Sequence, residues 1–209
     1  MSFERLAPHY TWMETVLAGQ RLQRSRIDWL HHLEGCQRIL IAGVGHGHFL
    51  RAAVEHFPES EIVSVDASAS MLERAKSKTS RSSARLQFIY ATLPFWRPPA
   101  QSFDAIVTHF FLDCFPPPEL EAVVAALADG AKSRARWLVA DFAVPAQGWR
   151  RYRARAIQRA MYAFFRPIAG VRATCVTPPD DTLRHHGFEL KGRVHREWGL
   201  LQSDLWARE

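Results

Sequence analysis

From Arg38 onward the chain alternates between two hydrophobic periods. RILIAGV (38–44) is a nearly continuous apolar run ending in glycine, the pattern of a strand buried on both faces. HFLRAAVEHF (48–57) spaces its apolar residues as a helix does and stops before Pro58. EIVSVDAS (61–68) predicts a second buried strand, and SMLERAKSK (70–78) a helix with Ser68 or Ser70 as its cap. RLQFIYATL (85–93) and SFDAIVTHFFL (102–112) predict strands three and four. A helix over 116–131 follows, with prolines at its entrance and a glycine in its exit, and RWLVADFAV (136–144) predicts strand five. Beyond it come a long helix over 147–170, closed by Pro167 and Gly170, and a short one ending at Gly187. ELKGRV and LLQSDLW read as two last strands with Gly199 turning between them. Upstream, Trp12, Val16, Ile27, Leu30 and Leu33 recur at helical intervals and predict one or two helices before the first strand.

Strands that alternate with helices imply a parallel sheet built through right-handed crossovers. The last two strands have no helix between them, so that pair is expected to be antiparallel. The predicted fold class is therefore α/β: a doubly wound, Rossmann-like, seven-stranded, mostly parallel sheet with an antiparallel last strand. No repeat, low-complexity tract or linker interrupts the chain. One domain over 1–209 is expected, with 1–35 as an N-terminal helical cap and 147–170 as a lid helix inserted after strand five.

In an open sheet of this kind ligands bind beyond the carboxyl ends of the strands, where the strand order switches. The turn after the first strand, "ILIAGVGHG", places Gly43, Gly45 and Gly47 at alternate positions there. Glycines permit positive φ and let a ligand approach the backbone. Asp66, ending the second strand about twenty residues on, stands where an acid accepts both hydroxyls of a ribose. Dinucleotide sites use G-x-G-x-x-G, but the spacing here is G-x-G-x-G and position 48 is histidine. That difference sets the NAD-linked oxidoreductase reading behind the others.

Composition narrows the setting. The 209 residues are 47% hydrophobic and 23% charged, ordinary for a globular protein with a core of its own. No apolar run reaches the roughly 18 residues of a membrane span, and MSFERLAPHYTWME lacks the apolar core of a signal peptide. Cys36, Cys114 and Cys175 are odd in number and scattered, which suits reduced thiols and a cytoplasmic protein. The net charge of +6 points weakly to an acidic partner, because the late arginines supply much of it. His46 and His48 have no acid or cysteine nearby in sequence to complete a ligand set, so no metal is expected.

Several segments resemble a known family in the right order. "LAPHYTWMETVLAG" resembles the entry segment of small-molecule methyltransferases of the ubiquinone/menaquinone-biosynthesis type, within the class I S-adenosylmethionine (SAM) methyltransferases. The G-x-G-x-G spacing, "SFDAIVTHFFLDCF", "RWLVADFAVP" and "HHGFEL" look like that family's first, fourth, fifth and sixth strand regions. The resemblance implies SAM as cofactor and S-adenosylhomocysteine as product. It implies Gly43, Gly45 and Gly47 under the methionine part, Asp66 on the ribose, and Ala67 and Met71 beside the adenine. It further implies Thr92 and Leu93 at the adenine edge, Thr108, His109 and Phe110 near the sulfonium, and Tyr10 closing the pocket. Two positions depart from the family pattern: Ile41 replaces an acid before the first glycine, and Thr92 stands where many members have aspartate.

No motif fixes the acceptor atom. His109 is the candidate general base, since imidazole titrates in the useful range and strand four ends there; the alternative is a histidine hydrogen-bonded beside the cofactor. Asp113 either orients the acceptor or caps the next helix. In the 147–170 segment, aromatic residues and Arg150, Arg151, Arg153, Arg155, Arg159 and Arg166 suit a lid over a flat, apolar or acidic acceptor. A core-facing stripe with a solvated basic face is the competing reading. The expected function is methyl transfer to a small molecule. An RNA or protein methyltransferase using the basic helix, peripheral membrane contact through it, and a SAM-binding protein without turnover all stay open.

Overall fold

The computed structural model describes residues 19–169 and 171–209. Tyr10, Trp12 and Val16 lie outside the described residues. The chain runs α1 (Gly19–Ile27), a 3-10 turn (Leu30–Leu33), β1 (Arg38–Ala42), α2 (His48–His56), β2 (Glu61–Asp66), α3 (Ala69–Thr79) and β3 (Arg85–Tyr90). It continues through β4 (Phe103–His109), a second 3-10 turn (Leu112–Cys114), α4 (Pro117–Gly130), β5 (Ala131–Phe142) and α5 (Gly148–Ala169). The last elements are α6 (Asp180–His185), β6 (Phe188–Arg196) and β7 (Leu201–Arg208).

The seven strands form one sheet in the order β3-β2-β1-β4-β5-β7-β6. The first five are parallel, and β7 is inserted antiparallel between β5 and β6. This is the doubly wound, mostly parallel architecture that the alternating pattern predicts. Because side chains alternate across a strand, each apolar run feeds both faces. Leu40, Val63, Ile106 and Trp137 pack in one core with α4. Ile39, Ile41, Ile62 and Val107 pack in the other with α2 and α3. A continuous apolar run is therefore what a two-sided central strand requires, and β3, at the sheet edge, has the looser burial to match.

Local chemistry accounts for most boundaries. Ser68 caps α3, its hydroxyl accepting the Met71 N–H at 3.3 Å. β5 starts at Ala131, directly after α4, rather than at Arg136. Ala131 pairs with Phe103, and a register shift between Phe103 and Ala105 absorbs the extra residues. α5 does not stop at Pro167, which lies inside it. One lost N–H so near the end leaves the preceding turns intact. The turn before β7 holds three consecutive positive φ values, at Glu197, Trp198 and Gly199, not at the glycine alone.

Buried charge ties the antiparallel edge together. Arg193 on β6 donates two hydrogen bonds of 2.8 Å to the carboxylate of Asp204 on β7 and one of 2.7 Å to Asp180 on α6. Asp204 is fully buried. Gly192 lets the Trp29 ring lie against β6: a Cβ there would sit 2.4 Å from Trp29 Cη2.

Candidate active site

A cavity of about 520 Å³ opens at the carboxyl ends of β1, β2 and β4, where the strand order reverses between β1 and β4. α1 flanks it through Arg21, Leu22 and Arg26, and α5 covers it through Ile157, Met161, Phe164 and Phe165. Of the residues singled out in the sequence, Gly43, Gly45, Asp66, Ala67, Met71, Thr92, Leu93, His109 and Asp113 all line it.

The three glycines have three different physical reasons. Gly43 (φ +76°) lies against Phe111: a Cβ would meet the ring at 2.4 Å. Gly45 (φ +51°) has nothing within 4 Å of that position, so its bare backbone faces open cavity. Gly47 (φ +73°) lies against α3, where a Cβ would sit 2.8 Å from Ala75 Cα, and is not part of the wall. Only the first two glycines border the space a ligand would fill.

Asp66 ends β2 beside this loop. Its Oδ2 accepts the Gly45 N–H at 3.1 Å and its Oδ1 the Ser68 N–H at 2.9 Å. Burial raises the carboxyl above its ordinary range, opposed by the amides of Gly45, Ser68, Ala67 and Val44. Helix capping falls to Ser68, which leaves Asp66 as the acid that organises the glycine turn. Ile41, where the resemblance expects an acid, is 3% exposed and presents an apolar side chain to the cavity.

Thr108 does not line the cavity. It is fully buried on β4 and its hydroxyl accepts the Trp137 Nε1–H at 2.9 Å, a bond within the core. One residue on, His109 does reach the wall, edge-on to Phe49 at 4.6 Å between centroids. Burial, and secondarily the Arg26 charge, hold its imidazole well below the usual range. A conjugate acid that strong makes His109 a poor proton acceptor, so burial overrides the position that recommends it as a base. Phe110 adopts φ 53°, which turns the chain sharply, and Phe110 and Phe111 pack against Phe142 and Phe115 respectively.

Asp113, in the 3-10 turn after β4, is buried on the cavity wall. Burial pushes it up to about 6, opposed by hydrogen bonding from Asp141 and Cys114. It does not cap α4, which begins behind Pro116 without a side-chain cap. Asp141, near the end of β5, is a site residue that the sequence patterns above do not single out, although an acid inside the apolar run LVADF is itself a signal. Burial, then the Asp113 charge, raises it well above the ordinary carboxylate range.

Residues 39–134 match a methyltransferase-domain family. That match covers just under half of the chain. Solved structures with the same fold include a Nostoc punctiforme protein classed as an O-methyltransferase, at 17% identity and TM-score 0.70 over 94% of this chain and 59% of that one. This chain thus spans little more than half the length of that protein. Magnesium protoporphyrin IX methyltransferase from Synechocystis, with bound S-adenosylhomocysteine, superposes at TM-score 0.65 and 18% identity over 90% and 83%. A Burkholderia thailandensis 1,6-didemethyltoxoflavin N1-methyltransferase, holding its acceptor and S-adenosylhomocysteine, gives TM-score 0.67 and 16% identity over 99% and 88%. At these identities the likeness is one of fold. No curated protein matches the chain in sequence. The matched segment includes the glycine turn, Asp66, His109 and Asp113 and stops short of Asp141.

Within the described residues Cys36, Cys114 and Cys175 are free thiols, and no helix is long and apolar enough to cross a membrane.

Proposed function

We propose that the chain transfers the methyl group of SAM to a small-molecule acceptor and releases S-adenosylhomocysteine. The observation that carries this reading is the shared cavity: the Gly43–Gly45 turn and Asp66 on one wall, His109 and Asp113 on another, under the apolar face of α5. Gly45 leaves backbone free for the methionine part, and Asp66 offers a carboxylate to the ribose hydroxyls. Met71, Ala67, Thr92 and Leu93 flank the adenine space. With Ile41 in place of an acid, the ammonium group would rely on backbone carbonyls. SAM supplies a methyl group already bound to an electron-poor sulfur; the protein's part is to align the acceptor and keep water out.

The aromatic lining from Phe110, Phe142, Met161, Phe164 and Phe165 favours a flat, apolar acceptor. Porphyrin and toxoflavin-precursor acceptors of two proteins with this fold are in keeping with that choice. Calorimetric titration with SAM and S-adenosylhomocysteine tests the reading. Micromolar binding that collapses in Asp66→Ala is the expected result, whereas no binding of either ligand to folded wild-type protein would sink it.

The outer surface of α5 supports a second element of the reading, contact with an anionic membrane from which an apolar acceptor is taken up. Arg150, Arg155, Arg159 and Arg166 are exposed on this helix, which contains no acid. Trp149, Tyr152 and Trp198 are exposed at the end of α5 nearest the cavity-lining Arg153 and Glu197. Sedimentation with phosphatidylglycerol vesicles, but not with phosphatidylcholine vesicles, is expected. Equal sedimentation with both, or with neither, refutes it.

A further inference from the structure

Where β4 and β5 end, beside the cavity, two carboxyls are buried. Asp113 and Asp141 are each 6% exposed. Asp113 lines the cavity and Asp141 does not, and the 3-10 turn that carries Asp113 packs against β5. Neither Asp141 oxygen receives a well-formed hydrogen bond from a donor among the described residues, and the backbone amide of Phe111 offsets its burial only in part. Two adjacent buried carboxylates cannot both be ionised at neutral pH, and an acid so poorly supplied with donors resolves both problems by keeping its own proton. That proton then points to the acceptor beside it, the Asp113 carboxylate.

The surroundings assign the two roles. Cys114 Sγ lies 3.7 Å from Asp113 Oδ1, and the Tyr162 hydroxyl of α5 donates to the Asp113 backbone carbonyl at 2.9 Å, pinning the turn. Asp204 of β7 adds negative potential behind Asp141 but is itself held by Arg193, and Asp66 of β2 lies beyond Cys114. His109, with the Arg26 charge near it, is kept neutral. Of the pair, Asp113 is the one that both reaches the cavity and has a side-chain donor to hold it ionised.

Building on the methyl-transfer reading, we infer that Asp113 and Asp141 form a one-proton carboxyl pair that selects acceptors bearing an O–H or N–H. Asp113 is the catalytic proton acceptor and Asp141 a positioning residue that hydrogen-bonds it. The acceptor X forms a bond to the methyl carbon as the S–CH₃ bond breaks. The electron pair stays on sulfur, which becomes a neutral thioether, and the X–H proton passes to Asp113 and then to solvent. An acceptor without such a proton, a pyridine nitrogen or a thioether, gains nothing from the pair.

The test combines a titration with a turnover assay. In protein labelled with ¹³C at aspartate carboxyls, wild-type Asp113 is expected to titrate near 6. Asp141→Asn, which keeps a donor, should leave that midpoint in place. Asp141→Ala, which removes the donor, should raise it. A fall of the midpoint in Asp141→Asn would mean Asp141 is an ionised neighbour and overturns the pair, as would no change in either variant. S-adenosylhomocysteine release is then followed on a pool of phenols and aromatic amines and on a second pool of pyridines and thioethers. Turnover of the first pool, rising with pH to a plateau above about 6, reduced about 100-fold in Asp113→Asn and retained in Asp141→Asn, is expected. Turnover of the second pool alone, or an Asp113→Asn variant as active as wild type, overturns it. Bound SAM with no release from either pool would instead refute the methyl-transfer reading, with the carboxyl titration still readable.

Discussion

On the proposed function, Asp66 separates binding from stability, because its carboxylate would serve the ligand at the expense of its own solvation. Substitution by asparagine keeps one acceptor oxygen and the shape while removing the charge. Each hydrogen bond from a ribose hydroxyl to an ionised acceptor contributes about 1.5–3 kcal/mol, and two of them about 3–6 kcal/mol. At 1.4 kcal/mol per tenfold, even the lower figure amounts to about 100-fold in SAM affinity for Asp66→Ala, and Asp66→Asn should lose roughly half of that free energy. Stability should move the other way. The folded-state pKa of Asp66 is raised, burial outweighing the amides of Gly45, Ser68, Ala67 and Val44. An acid with a raised folded pKa costs stability while ionised, and the cost fades as pH falls through that pKa. Asp66→Asn should therefore melt no lower than wild type at pH 7, while wild type gains relative to it on acidification. SAM affinity of the wild type should fall over the same acid range, as the carboxylate that receives the hydroxyls is neutralised. Calorimetry and thermal melts from pH 7 down to about 4.5 read both quantities. Binding within threefold of wild type in Asp66→Ala, or a clearly lower melting temperature for Asp66→Asn, would refute the reasoning.

Gly43→Ala must place a methyl 2.4 Å from the Phe111 ring at φ +76°, and should cost about 2–4 kcal/mol in urea unfolding. Gly45→Ala, with nothing within 4 Å, should cost only about 1 kcal/mol yet weaken SAM binding, because its methyl enters the cavity. Thr108→Val removes the acceptor of the Trp137 indole and should destabilise by about 1–2 kcal/mol while leaving SAM affinity within threefold, since Thr108 does not reach the cavity. Arg193→Met leaves Asp204 buried without its bidentate partner and should cost about 3–5 kcal/mol. Adding Asp204→Leu should recover part of that loss in the same unfolding assay.

The placement of Gly43, Gly45 and Asp66 at the cavity is legible in the sequence because it follows from chain order: a turn after the first strand and an acid ending the second. His109 and Asp113 are legible as positions, since both lie where strand four ends, but not as chemistry. Imidazole looks like a natural base until burial beside Arg26 removes its affinity for a proton. Asp113 reads equally as an acceptor-orienting acid or a helix cap until the helix is seen to have no side-chain cap and Asp141, from the next strand, is found to interact with it. Thr108 and His109 differ by one step along β4, and the alternation of side chains sends one into the core and the other to the cavity.

By itself the sequence determined the order and type of the elements, because apolar periodicity is local and a two-sided strand cannot be written any other way. It also determined the antiparallel end of the sheet, because β6 and β7 have no helix between them to carry a crossover. What only the tertiary structure decided are relations between distant residues. They include which of three similar glycines faces open cavity and which faces Phe111 or Ala75, and which acids lose their water together. They include also which arginine secures the buried carboxylate of Asp204. Burial and pairing depend on what the fold brings alongside, and no spacing along the chain encodes that.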